Sequence, residues 1–212
     1  MTITVKFATK HQMRRTRIRK ILRRAQRLFF ITGVIALGYV SFALLDARLY
    51  QVSAKRSLEN QIKLQQIELK KDPGAIFPKS AIKKGDLLGR LDIPRLGLSV
   101  AVLQGTSSRM LRLGTGHIES TPLPGEVGNS GIAGHRDTFF RGLKDVRAHD
   151  EIQFQTATGL FRYQVDWVKV VAPDDVSVLA SSTESALTLV TCYPFYFVGP
   201  SPKRFVVRAH QL

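Results

Sequence analysis

Cysteine is nearly absent from this chain: Cys192 is the only one among 212 residues. No disulfide can form within the molecule, so the fold must be held by its own core. Acidic residues are missing altogether from one stretch, since residues 1–27 hold ten Lys and Arg and no Asp or Glu. The formal net charge of +16 therefore does not describe a basic globule. Residues 88–212 carry thirteen basic and eleven acidic side chains, close to balance. A positive arm can bind nucleic acid through phosphates. Here it runs straight into a segment that lacks charge of either sign, which argues against that reading and leaves it as a minor rival.

The uncharged segment is 28–45, LFFITGVIALGYVSFALL, eighteen residues long. As a helix it would span about 27 Å, against roughly 30 Å for a hydrocarbon core. A buried core helix rarely runs this long without charge behind so many positive residues. A cleaved signal peptide would need an unusually long n-region, and no A-x-A pattern comes after it. The segment is predicted to be a single transmembrane anchor. The excess of Lys and Arg before it places residues 1–27 in the cytoplasm and the rest outside. Repeats, low-complexity tracts and metal-type clusters of His, Cys and carboxylates are also missing, as is any dense acidic loop of the kind that binds calcium.

Past the anchor the chain changes texture twice. Residues 50–71 are rich in Gln, Lys, Glu and Leu, with Leu58, Ile62 and Leu69 at roughly helical spacing, and Asp72-Pro73-Gly74 stops the pattern. This reads as a solvated juxtamembrane helix. A linker with Pro, Gly and Lys runs to Gly85. Beyond it come short apolar runs broken by Gly and Pro, the pattern of an all-β domain. Strands are predicted over 88–93, 98–103, a run through Ile132 and Ala133, 161–168, 186–192 and 204–209. In 161–168, Phe161, Tyr163, Val165 and Trp167 alternate with mostly polar neighbours, so that one face turns to a core. Short helical turns fit 107–113 and 174–179, the latter opened by an Asp cap. These counts give a mainly β fold class: a closed or nearly closed barrel of about eight strands with short helices, preceded by the transmembrane helix.

A lone thiol is usually an inert small hydrophobe. Cys192, however, ends the run Thr188-Leu189-Val190-Thr191-Cys192, and Tyr193-Pro194 comes next. Proline cannot continue a central strand, so the chain turns just after the thiol and leaves it at a barrel rim. Nucleophilic cysteine chemistry also needs a group to manage the proton and positive charge where an oxyanion develops. Of the five histidines, His11 lies in the arm, and His149 and His210 lie among polar residues. His117 and His135 are each preceded by glycine. His135 closes the apolar run Gly131-Ile132-Ala133-Gly134, which favours it by spacing and leaves His117 open.

IAGHRDTFF at 132–140 together with TLVTC at 188–192 resembles the sortases, most closely their class D or class E members. LPG at 123–125, GN at 128–129 and KRFVV at 203–207 belong to the same likeness, which covers about residues 87–209. The resemblance implies that 87–212 is a catalytic domain, with 46–86 as juxtamembrane helix and linker. It implies Cys192 as nucleophile, His135 as proton-transfer partner and Arg204 as the group that holds substrate and oxyanion. Arg136 and Arg208 are positional competitors for that last role. Thr191 would help shape the substrate pocket or serve as a strand residue, and Asp137 would accept a hydrogen bond from His135 or cap a turn. The implied reaction cleaves an LPxTG-like sorting signal through a thioester on Cys192 and passes the acyl group to an amine on the envelope or on another protein. It requires no cofactor and no metal. The expected partners are sorting-signal proteins, the amine acceptor and a membrane crossed once, with no nucleic acid. Two rival readings are a secreted cysteine hydrolase and a membrane-tethered barrel adaptor with an inert thiol. The CGSCW-like and SHGC-like motifs of other cysteine enzymes are absent.

Overall fold

A computed structural model describes residues 8–71, 82–197 and 199–212, so the stop at Asp72-Pro73-Gly74 and most of the linker lie outside the described residues. A single helix, α1, runs over Ala8–Lys71. The chain divides into two compact units, Met1–Asp46 and Ala47–Leu212. In the first, the apolar side chains of the predicted anchor are exposed, Phe29 and Phe30 among them. Residues 19–64 of α1 include a stretch long and apolar enough to cross a membrane.

The second unit is built on a closed barrel of eight strands: β1 (Leu87–Ile93), β2 (Leu98–Gln104), β3 (Thr115–His117), β4 (Asn129–Ala133), β5 (Glu151–Gln155), β6 (Leu160–Val171), β7 (Ala186–Tyr193) and β8 (Lys203–Gln211). Around the barrel the order is β1-β2-β3-β4-β7-β8-β6-β5, closed by β5 on β1. The pairs β2–β3 and β4–β7 are parallel. One helical turn, α2 (Ser108–Leu113), precedes β3, and a 3-10 turn at Val176–Leu179 is capped by the Asp175 carboxylate.

Alternation fills the interior. Leu91 and Ile93, Val100 and Val102, Ile152 and Phe154, Leu187 and Leu189 are at most 2% exposed, every second residue of their strands. Burying each such side chain stabilises the fold by about 1.5–3 kcal/mol before entropy is counted. In β6 the alternation breaks. Tyr163 and Val165 are buried, but the register against β8 slips between Val165 and Trp167. After this bulge Val168 packs on the core. Trp167, expected to face inward, instead carries the Lys169 ammonium 4.5 Å over its ring.

The juxtamembrane part of α1 is not solvated throughout. Ala54 and Leu58 are 6% and 2% exposed. Gln51 accepts a hydrogen bond from the Ala101 amide at 2.9 Å and donates to the Leu113 carbonyl at 2.5 Å. β3 is only three residues long and pairs with β2 from Val102 onward. Gln51 thus bonds the β2 amide just before that short pairing begins.

Candidate active site

The core alternation decides which face Cys192 occupies. Leu187 and Leu189 point inward, so Thr188, Val190 and Cys192 belong to the outer face of β7. On β8, Phe205, Val207 and Ala209 belong to the core, which turns Arg204, Val206 and Arg208 outward. The antiparallel register sets Cys192 directly opposite Arg204 and Thr188 opposite Arg208. Arg204 and Cys192 are therefore cross-strand neighbours, whereas Arg208 is four residues away along β8 and donates to the Thr188 hydroxyl at 3.3 Å.

His135 arrives from the other side of β7. β4 runs parallel to β7 with Ala133 paired to Val190. The Gly134 amide continues the ladder by donating to the Val190 carbonyl at 3.1 Å. His135 and Cys192 are each two residues beyond the Ala133–Val190 pair, at the same end of strands about 4.8 Å apart. The Thr191 hydroxyl donates to the Gly134 carbonyl at 2.7 Å. This bond ties the residue before the histidine to the residue before the cysteine. Thr191 is 2% exposed, with its hydroxyl committed to the Gly134 carbonyl. Gly134 has no room for a side chain, since a Cβ there would come within 2.6 Å of the Phe140 ring.

Cys192 is half-buried and His135 is exposed, and neither side chain has a hydrogen-bond partner among the described residues. Asp137, also exposed, makes no bond to His135. Arg204 donates to the carbonyls of Ser201 and Lys203 at 3.3 and 3.0 Å. Beyond Cys192, Tyr193-Pro194 is a cis peptide bond. The rings of Tyr193, Phe195 and Phe205 pack on one another with centroids 5.1–6.2 Å apart.

His117 sits in a different setting. It is 1% exposed. Its Nε2 donates to the Pro122 carbonyl at 2.9 Å, and its Nδ1 meets the Gln104 side-chain amide at 2.9 Å. Burial lowers its pKa below the ordinary imidazole value. His149 is exposed in a left-handed turn, and His210 pairs with Asp166 at 2.5 Å.

Two residues, at opposite ends of the β4–β7 ladder, have structural roles that their sequence context does not announce. Arg136 binds the loop between β7 and β8, and Asn129 binds the connection between β6 and β7. The Asn129 side-chain amide donates to the carbonyls of Val178 and Ala180, both at 3.1 Å, and accepts from the Thr188 hydroxyl at 2.6 Å. The length of the aromatic loop YPFYFVGPS is the one sign in the sequence that something must hold it.

A thiol, an imidazole and a guanidinium gathered on one outer rim of a closed barrel have the make-up of a thiol acyl-transfer site. Residues 91–212 match the Sortase domain family model. Sortase D of Bacillus subtilis is 30% identical over 190 residues, covering 85% of this chain and 94% of that protein. The solved Sortase D5 transpeptidase of Clostridium perfringens superposes with a TM-score of 0.65 at 28% identity, over 77% of this chain and 98% of that one. Sortase C of Clostridium perfringens, solved with the C-terminal cell wall sorting motif, gives 0.58 at 28% identity, over 73% and 87%. The chain belongs to the sortase family of cysteine transpeptidases.

Proposed function

We propose that this sortase is a single-pass membrane enzyme that cleaves an LPxTG-like signal at Cys192 and transfers the acyl group to an amine. The Cys192 thiolate adds to the Thr carbonyl of the signal, and the electron pair moves to the carbonyl oxygen beside Arg204. Collapse of this tetrahedral species breaks the Thr–Gly amide bond, His135 protonates the departing amine, and a thioester remains. An incoming amine then attacks the thioester, gives up a proton to His135 and releases the thiolate. The observation that carries this reading is the double register on β7, which sets Arg204 across from Cys192 on one side and brings His135 to the same rim on the other.

The surroundings support it. Gly131 lies on the outer face of β4, opposite Thr188, and its bare Cα is walled by Leu179 and Ile118. This apolar floor on the strands that lead to Cys192 suits the Leu and Pro of such a signal. The ten positive charges ahead of the apolar segment support a cytoplasmic N-terminus and a catalytic unit outside. The test is mass spectrometry of the intact protein incubated with LPxTG-like peptides. A thioester adduct should appear on Cys192 and be discharged by an added amine, and Cys192→Ala should form none. Normal cleavage by Cys192→Ala would end the covalent mechanism.

A further inference from the structure

The guanidinium of Arg136 does not face the reacting groups. Its Nη1 donates to the Pro194 carbonyl at 2.9 Å and to the Ser201 hydroxyl at 3.0 Å. Its Nη2 donates to the carbonyls of Phe197 and Gly199 at 2.7 and 3.3 Å. One side chain thus gathers both ends and the middle of the loop between β7 and β8, and its cation also lies 5.8 Å over the Phe197 ring. Only a planar fork of donors can span acceptors so arranged. The Ser201 hydroxyl that accepts from Arg136 donates to the Tyr193 carbonyl at 2.5 Å, next to the nucleophile. The Ser201 carbonyl in turn accepts from Arg204. A continuous chain of contacts therefore runs from the residue after His135, through Ser201, to Arg204 and to the residue after Cys192.

We propose that Arg136 and Ser201 are a positioning pair that sets Arg204 beside Cys192, so that Arg136 serves the reaction through Arg204 and not at the oxyanion itself. This rests on the reading of Arg204 as the substrate and oxyanion group. With its two terminal nitrogens occupied on the loop, Arg136 holds the strand end from which Arg204 projects. When that hold is lost, Arg204 keeps its charge but not its place, and misplacement of a catalytic group by about 1 Å can cost about 100-fold in rate.

The experiment is a double-mutant cycle on the full-length protein in detergent, using a fluorogenic LPxTG-type peptide that the wild type cleaves. Arg136→Ala should lower kcat about 10- to 100-fold with little change in KM, and Ser201→Ala should lower it less. In the Arg204→Ala background neither change should lower kcat further, because residues acting as a unit are not additive. The iodoacetamide labelling profile of Cys192 against pH should stay as in wild type, which separates positioning from general damage to the rim. If Arg136→Ala does not fold, Arg136→Lys and Ser201→Ala carry the same cycle, since an ammonium lacks the fork. Fully additive losses, or wild-type kcat in both Arg136→Lys and Ser201→Ala, overturn the proposal. Wild-type kcat in Arg204→Ala overturns the Arg204 reading and this proposal with it, whereas a low kcat there with additive losses overturns this proposal alone.

Discussion

A thiol acts as a nucleophile only as its thiolate, and the oxyanion it generates must be met by donors already in place. Strand register makes Cys192 and Arg204 cross-strand neighbours, and the role proposed for Arg204 is that of such a donor. Charge and geometry contribute differently at Arg204, and one substitution separates them. Lysine keeps the positive charge but loses the planar fork. If Arg204 binds the developing oxyanion, Arg204→Lys should lose kcat by about 10²- to 10³-fold, as when one oxyanion donor is removed. If it acts by charge alone, Arg204→Lys should turn over peptide nearly as wild type and only Arg204→Ala should fail. Steady-state kinetics on both variants gives the answer. At the same scale, His117 and His135 look alike in sequence because each is preceded by glycine. The structure separates their settings: the His117 ring is buried and bonded at both nitrogens, and His135 is exposed beside the strand that holds Cys192.

His117 matters at the level of elements, because its bonds join β2, β3 and the connection into β4. Nε2 holds the Pro122 carbonyl, Nδ1 meets Gln104, and Thr121, which touches the ring at 3.1 Å, accepts from the Gly131 amide of β4. Burial keeps this imidazole neutral to lower pH than a free one. The unfolded chain takes up its proton near pH ~6.5, so between the two values the unfolded state holds more protons and stability falls as pH drops. Below the folded value the loss levels off. Tm measured from about pH 8 to about pH 5 should therefore fall more steeply in the wild type than in His117→Gln. Equal slopes would remove the buried histidine from the acid response. β3 itself could not be read from sequence: Thr115-Gly116-His117 is too short to show a period, and it is a strand only because β2 and β4 flank it. β5 is hard to see for a related reason, with only Ile152 and Phe154 marking its inner face. The longer strands β1, β2, β7 and β8 were legible because their apolar runs end at Pro, Gly or a turn. Trp167 was misplaced because a bulge reverses alternation without leaving a mark in composition. The Cys192, His135 and Arg204 positions were visible as strand ends. The Arg136 contacts were not, since they depend on how a loop folds back.

Across the whole molecule, charge and apolar surface are distributed by function rather than averaged. The positive charge is concentrated in residues 1–27, the exposed apolar side chains lie largely along the helix after them, and the barrel sequence is nearly neutral. A barrel with a complete core of its own should not need residues 1–46, the proposed anchor, in order to fold or to cleave a soluble peptide. It should, however, need the part of α1 that docks on β1 and β2. A protein beginning at Ala47 keeps Gln51, Ala54 and Leu58, and should match the full-length chain in kcat/KM on peptide. A protein beginning at residue 73 loses the burial of Leu58, worth about 2 kcal/mol, and two hydrogen bonds of about 1 kcal/mol each. Ordering the helix costs entropy that offsets part of this. A net loss of about 2–3 kcal/mol lowers Tm by roughly 5–15 °C for a domain of this size. Calorimetry of the two truncated proteins measures the difference directly. Equal Tm values would mean that the Gln51 and Leu58 contacts add nothing to the barrel. A large loss of peptide cleavage in the protein beginning at Ala47 would mean that the segment before it serves the catalytic unit as more than the proposed anchor.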